Sequence, residues 1–262
     1  MTTQNKLLIS SSAGNTIRES VILAETLGTG IEISRVPLYK NKGMTVDETI
    51  EIIKNDLNGF KNRITLHAMF SDINISSGDC LLKEIAQKRC YQSFEIGQGI
   101  KADTILFHTG YKGTKHYGSI ASFKKNFVCF WKELIKEFEK AGIIAVIENV
   151  FETSPNFCLD LFEQINSPNL KLALDTGHVN LYAHDTDVSE WIKAYGENLY
   201  HLHLHNNFRE NDDHSNFENG TLDFNKILTQ IKQSNIEPSF VLEMFTEEDI
   251  RRSINIFNKI FQ

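Results

Sequence analysis

The sequence predicts an α/β fold, a single-domain (β/α)8 barrel of the TIM type spanning residues 1–262. Eight short β-like runs alternate with eight amphipathic or capped segments, which is typical of a parallel sheet. Eight such units allow the sheet to close, and the length is close to the roughly 250 residues of a typical barrel. An open doubly wound sheet would need a glycine-rich phosphate loop after an early strand, and the sequence contains none. These observations favour the barrel.

Eight short β-like runs of four to six residues are predicted to be strands. In chain order they are Lys6–Ser10, Gly30–Ser34, Arg63–His67, Thr104–His108, Ile143–Glu148, Lys171–Asp175, Tyr200–Leu204 and Phe240–Glu243.

The segments between these runs are predicted to be helices, and two of them carry distinct start signals. Thr45 followed by Glu48 is a capping-box pattern. Pro155 stands at the first helical position after Ser154, where its missing N–H costs nothing. The predicted helices are Thr16–Leu27, Thr45–Leu57, Asp79–Gly97, Ser122–Ala141, Ser154–Gln164, Val188–Tyr195, Asp223–Gln233 and Thr246–Phe261.

Composition narrows the possible classes of protein. Apolar residues make up 41% and charged residues 23%, which is ordinary globular usage. The net charge of −7 argues against broad binding to nucleic acid or to an anionic membrane. Residues 1–14 hold no apolar stretch that suits a signal peptide, and the four cysteines form no CxxC pair. We therefore expect a cytoplasmic protein with reduced thiols and no membrane segment.

The third to eighth predicted strands each end with an ionisable or metal-binding side chain on one face. Side chains alternate faces along a strand, so Thr65 and His67 share the face opposite Ile64 and Leu66. The apolar alternates are expected to pack under the helices, and the polar set to point into the barrel at its C-terminal rim, where barrel enzymes place active sites. The predicted inward set is His67, His108, Glu148, Asp175, His203 and Glu243.

This arrangement predicts a metal site. Three carboxylates facing one lumen, those of Glu148, Asp175 and Glu243, would repel one another and are costly to bury without compensation. Bound divalent cations remove that cost. His201 and His205 are expected to line the lumen or to orient ligands rather than bind metal. The histidines expected at inward ligand positions are His67, His108, His178, His203 and His214.

Seven motifs together resemble the xylose isomerase-like barrel superfamily, which includes sugar isomerases, sugar epimerases and endonuclease IV-type DNA repair enzymes. The resemblance runs from about residue 63 to residue 245. The motifs are Leu66-His-Ala-Met-Phe70 with Asn74, Phe107-His-Thr-Gly110, Val146-Ile-Glu-Asn149, Leu174-Asp-Thr-Gly-His178, His203-Leu-His-Asn-Asn207, Asp212-Asp-His214 and Val241-Leu-Glu-Met244.

The resemblance implies site residues by matching motifs. Similarity to the isomerases and epimerases implies one divalent metal held by Glu148, Asp175, His203 and Glu243. It also implies substrate contacts from His67, His108, His178 and Arg209. The endonuclease branch uses nine ligands for three zinc ions, and here these would add His67, His108, His178, Asp212 and His214 to the first four.

The function expected from this resemblance is isomerisation or epimerisation of a small sugar, sugar phosphate or polyol. A divalent cation holding a carbonyl and its neighbouring hydroxyl acidifies the C–H between them by stabilising an enediolate. Glu148 and Glu243, across the lumen from each other, are the predicted acid/base pair. The four-ligand set suits Mn, Mg or Co, and the nine-ligand set suits Zn.

An endonuclease IV-type zinc-dependent phosphodiesterase is the alternative, with a non-catalytic metal- or sugar-binding barrel third. Departures from the endonuclease pattern make DNA the less favoured substrate. Met69 replaces a proline, Asp72 puts an acid in the following loop, and the loop at Thr246–Asp249 is acidic. Gripping several phosphates needs more cations around the mouth than this chain offers. The cations near the predicted mouth are Lys112, Lys115 and Arg209.

Overall fold

Eight parallel strands form a closed barrel in sequential order, which confirms the predicted fold. The computed structural model describes residues 6–39, 41, 43–112 and 119–261. The strands are β1 Leu7–Ser10, β2 Gly30–Ile33, β3 Ile64–His67, β4 Thr104–His108, β5 Ile144–Glu148, β6 Leu170–Asp175, β7 Leu199–Leu204 and β8 Ser239–Leu242. The ring closes where β1 pairs with β8, with Leu8 opposite Val241.

Nine α-helices lie within the described residues, one more than predicted. They are α1 Ile17–Leu27, α2 Val46–Asp56, α3 Cys80–Gly99, α4 Ile120–Ala141, α5 Pro155–Ile165, α6 Thr176–Tyr182, α7 Val188–Tyr195, α8 Phe224–Gln233 and α9 Glu247–Phe261. The capping box of Thr45 and Glu48 at α2 and the opening of α5 at Pro155 are both confirmed. The additional helix, α6, follows β6 directly, and the Asp175 side chain caps it by accepting from the His178 N–H.

Several predicted boundaries were wrong by one to three residues, and local contacts explain two of them. The structure starts α4 at Ile120 because Ser119, rather than a later serine, supplies the capping hydroxyl. It extends α3 past Gly97, where the helix presses so closely on Ile105 of β4 that a Cβ would overlap that side chain. The Glu243 residue lies just beyond β8 rather than within it.

The core has two layers, as the alternation of the strands predicts. The outward residues Ile147, Leu174 and Leu202 join a large cluster between strands and helices. Inside the barrel, Leu106 and Val146, together with Ala173, form a small separate cluster. This inner packing precedes Glu148 and Asp175 along their strands, so the polar side chains occupy the C-terminal half of the lumen. No helix in the described ranges is long and apolar enough to cross a membrane.

Candidate metal centre

A cavity of about 600 Å³ opens at the C-terminal rim of the barrel. Its floor carries most of the predicted site residues, and its opposite wall comes from the segments that follow β1 and β2. The predicted site residues that line it are His67, His108, Glu148, His178, Asp212, His214 and Glu243.

Three carboxylates converge on one nitrogen of His203. The Nδ1 atom of His203 lies 2.8 Å from Glu148 Oε1 and 2.8 Å from Glu243 Oε2. It lies 3.8 Å from Asp175 Oδ2. The carboxylates reach this point from the ends of β5 and β6 and from just beyond β8, while His203 projects from β7. The structure therefore brings together the four residues predicted to hold a single metal.

His203 uses its Nε2 for a hydrogen bond, which leaves its Nδ1 and the facing carboxylate oxygens of Glu148 without hydrogen-bond partners. Its Nε2 lies 2.7 Å from Glu32 Oε1, and the N–H must donate because a carboxylate only accepts. When the ring is neutral, as a metal ligand must be, the lone pair of Nδ1 faces the three carboxylates. Across the described residues, His203 Nδ1 and both Glu148 carboxylate oxygens are buried and make no hydrogen bond. Buried acceptors facing one another are what a coordinated cation would satisfy, so this donor set fits a divalent metal.

His67 and His108 extend the cluster on the other side of Glu148. The Nε2 atoms of His108 and His67 lie 2.8 Å and 3.9 Å from Glu148 Oε2. The Nδ1 of His67 lies 2.9 Å from the Ala68 carbonyl and donates to it. Because that proton is on Nδ1, the lone pair of His67 Nε2 faces Glu148, in the orientation of a metal ligand.

His178 and His214 repeat this pattern around Asp212. Their Nε2 atoms lie 3.4 Å and 3.3 Å from Asp212 Oδ2. Each ring donates its Nδ1 proton to a backbone carbonyl, at 2.9 Å to Asn149 and at 2.7 Å to Glu243. The nine residues of the larger predicted set thus form one cluster, and seven of them line the cavity. Their roles as ligands stay predictions.

Two histidines outside the nine also enter the cluster. His205 Nε2 lies 3.1 Å from Asp175 Oδ2 and 3.8 Å from Asp212 Oδ1. Its ring stacks on His214, with centroids 4.0 Å apart. His205 is therefore near enough to Asp175 and Asp212 to share a metal ion with them, whereas the expectation from the sequence was that it lines the lumen or orients ligands. His201 lies deeper in the lumen, where it contacts Glu32.

The carboxylates and histidines of the cluster shift one another's pKa values. Burial raises the pKa of Glu243, but His203 and His214 outweigh it and bring that pKa down to about 2. Burial lowers the pKa of His214, but Glu243 and Asp212 raise it to about 9. The pKa of His203 is likewise raised well above its usual value, because Glu243 and Glu148 outweigh burial. The carboxylates thus hold protons on His203 and His214 at neutral pH, and a divalent cation would compete for the same positions.

Glu32 is the site residue that the sequence interpretation missed. It lies on β2, fully buried, and accepts from His203 and His201. Its position between Ile31 and Ile33 was the available signal, because alternation places it on the inward face.

The structure describes two of the three cations expected near the mouth, Arg209 and Lys112. Arg209 is exposed and absent from the cavity lining, and its Nε donates to Asn180 Oδ1 at 3.0 Å, so its substrate contact stays a prediction. Lys112 pairs with Asp72 at 3.3 Å. Arg35, unforeseen, lines the cavity and donates to the Asn15 and Ser12 carbonyls. Lys115 lies outside the described residues.

Fold and site together define a (β/α)8 barrel protein with buried histidine, glutamate and aspartate groups that could bind metal at its C-terminal rim. The chain belongs to the xylose isomerase-like TIM barrel family, whose model matches residues 22–260. The predicted resemblance is therefore confirmed.

The chain is similar to proteins found in three comparisons. It is 22% identical to the uncharacterized protein MJ1311 of Methanocaldococcus jannaschii over 209 residues, covering 78% of this chain and 71% of that protein. It is 20% identical to a D-tagatose 3-epimerase-like protein, with a TM-score of 0.82 over 97% of this chain and 96% of that one. It is 16% identical to D-psicose 3-epimerase of Clostridium cellulolyticum H10, solved with D-tagatose, with a TM-score of 0.75 over 98% and 99%. At these identities the solved structures establish the shared fold.

Proposed function

We propose that this protein is a divalent-metal-dependent isomerase or epimerase acting on a sugar or sugar phosphate by proton transfer. The observation that carries the proposal is the approach of Glu148 and Glu243 to His203 Nδ1, each at 2.8 Å, with both glutamates lining an open cavity. Similarity to proteins named as sugar epimerases supports the same class of reaction.

Glu148, Asp175, His203 and Glu243 would hold the cation, which polarises a substrate carbonyl and so acidifies the adjacent C–H. One glutamate then removes that proton, and the other returns a proton to the opposite face of the same carbon, which inverts it. Return of the proton to the neighbouring carbon gives isomerisation instead. His67, His108 and His178, which line the cavity, would contact substrate hydroxyls wherever they do not ligate metal.

Exchange of a substrate C–H with solvent tests this proposal. Candidate ketoses and ketose phosphates incubated with the protein and metal in deuterated water should gain deuterium beside the carbonyl. Glu243→Gln should lower the exchange rate by about 10²–10⁴-fold, the usual contribution of a general acid or base. The matched control is Glu247→Gln, the same change at an exposed residue of α9. Unchanged exchange in Glu243→Gln would contradict the assignment.

The number of metal ions distinguishes the two ligand sets. We propose one ion, of Mn, Mg or Co, if only Glu148, Asp175, His203 and Glu243 coordinate, and several zinc ions if the histidine groups around Glu148 and Asp212 also coordinate. Elemental analysis of protein purified without chelator or added metal, repeated after saturation with zinc, gives the ratio. A ratio that stays at one under saturating zinc assigns His67, His108, His178, Asp212 and His214 to other roles.

A zinc-dependent phosphodiesterase or endonuclease IV-type activity is the second candidate, because the nine residues that match that branch's ligand set lie in one cluster, seven of them in the cavity lining. The charge of the cavity opposes it. Among the described residues that line the cavity, Arg35 is the sole arginine and there is no lysine. Metal-dependent nicking of a duplex with an abasic site, together with no exchange in any ketose, would reverse the ranking.

A further inference from the structure

Glu32 occupies the lumen just behind the candidate metal centre. Its side chain is fully buried on β2. Three groups donate to its carboxylate: His203 Nε2 at 2.7 Å, His201 Nε2 at 2.9 Å and Thr65 Oγ1 at 3.0 Å. Charge-assisted hydrogen bonds of this kind offset the cost of burying the carboxylate.

The bond to His203 has a consequence for the metal centre. A neutral imidazole carries one proton and one lone pair, on different nitrogens. Because Glu32 requires the proton on Nε2, the lone pair lies on Nδ1, the atom that meets Glu148 and Glu243. Without this acceptor, His203 could carry its proton on Nδ1, where it would block coordination.

The second imidazole holds Glu32 itself in place. His201 donates to Glu32 through Nε2, so its Nδ1 accepts from Ser239 Oγ at 2.6 Å. Thr65 on β3 and Ser239 on β8 join this network to strands far apart in sequence. The carboxylate is therefore fixed by the barrel frame and not by a surface loop.

We propose that Glu32 is a positioning residue of the metal centre: by accepting from His201 and His203 together, it orients His203 so that Nδ1 faces the three carboxylates. The proposal rests on the proposed function, because it assumes that His203 is a ligand. It assigns to Glu32 no contact with the substrate or with the cation.

Glu32→Gln tests the proposal with little change in size. The two imidazoles donate to different oxygens of Glu32, His203 to Oε1 and His201 to Oε2. An amide replaces one of these oxygens with an NH2 group that only donates, so one of the two rings must lose its bond or move its proton. Zinc affinity, measured by competition with a chromophoric chelator, should fall about 10–100-fold, as is typical when the partner of a ligating histidine is removed. Side-chain ¹⁵N signals of the zinc-loaded protein should change for His201 or His203. The matched control Thr65→Val removes a third bond to Glu32 and leaves both imidazole bonds, so its zinc affinity should stay within about threefold of that of the unmodified protein.

The unmodified protein gives an independent readout if Glu32→Gln does not fold. In its zinc-loaded form, the ¹⁵N spectrum should show the His203 proton on Nε2; a proton on Nδ1 would overturn the proposal. Equal zinc affinities of the unmodified protein and a folded Glu32→Gln variant would also overturn it, while leaving the proposed function intact. Failure of the unmodified protein to bind any divalent metal would overturn both.

Discussion

Asp175 caps α6 and is also a proposed metal ligand, and two substitutions separate these roles. Its Oδ1 accepts from the His178 N–H at 2.7 Å and caps α6. Its Oδ2 lies 3.8 Å from His203 Nδ1, on the metal side. Asp175→Asn keeps a capping oxygen and removes the charge, whereas Asp175→Ala removes both.

The expected sizes of these effects follow from linkage and capping. Metal at 100 times its dissociation constant stabilises the folded protein by about 2.7 kcal/mol. If loss of the Asp175 charge weakens binding about 100-fold, the same metal concentration leaves only about 0.4 kcal/mol. For a chain of this size, the lost 2.3 kcal/mol or so lowers the metal-dependent rise in Tm by about 5–9 °C. Asp175→Ala should lose about 1 kcal/mol more, with or without metal, because the cap is gone.

Thermal unfolding of the three proteins, each metal-free and metal-loaded, measures both effects. Metal-free Asp175→Asn should unfold below the temperature of the unmodified protein, because Asp175, against the effect of burial, raises the pKa of His178 and so stabilises its protonated form. An Asp175→Asn variant with the full metal-dependent rise in Tm would refute the argument that Asp175 is a ligand. Equal stability of the metal-free Asn and Ala variants would refute the capping argument.

Two further predictions concern the same region. Gly177→Ala should lower both the thermal stability and the zinc affinity, because the new Cβ would overlap the His205 ring beside Asp175. Gly→Ala within a helix otherwise stabilises by about 1 kcal/mol. A more stable variant would show that the His205 ring moves aside at little cost. Zinc affinity should rise with pH up to about 9, the value to which Glu243 and Asp212, against burial, raise the pKa of His214. The sign is opposite for the metal-free protein, where the stabilisation from protonated His214 is complete below about pH 6.5 and is lost as the pH rises through about 9. A zinc affinity that changes by less than about tenfold between pH 6.5 and 9 would show that His214 is not a zinc ligand.

The barrel and most of its rim could be predicted from sequence because strand alternation has a fixed period of two. That period places His67, Glu148 and Asp175 inward without knowledge of tertiary contacts. The helix α6 could not be predicted in this way, because it spans seven residues and contains Gly177, so its local propensity is low. Its stability comes from the Asp175 cap and from burial of its residues.

The side-chain partners at the rim depend on distances that no pattern encodes. The family resemblance implied a substrate contact from Arg209, which stays a prediction; in the structure the loop after β7 turns its Nε to Asn180, with Arg209 itself at a positive φ of 67°. Arg35 lines the cavity because backbone carbonyls of Asn15 and Ser12 hold its guanidinium, an arrangement that residue types alone do not reveal.

The pairing of β1 with β8 bears on how the site comes into being. Leu8 and Ile9 pair with Val241 and Leu242, just ahead of Glu243. These contacts span almost the whole chain, and contacts of such long sequence separation form late and slowly in folding. If Glu243 is a metal ligand, as proposed, its coordination must await ring closure, and a refolding chain would not hold metal with the full ligand set before its first and last strands have met. The rate of metal uptake after dilution from denaturant would then report the rate at which β1 pairs with β8.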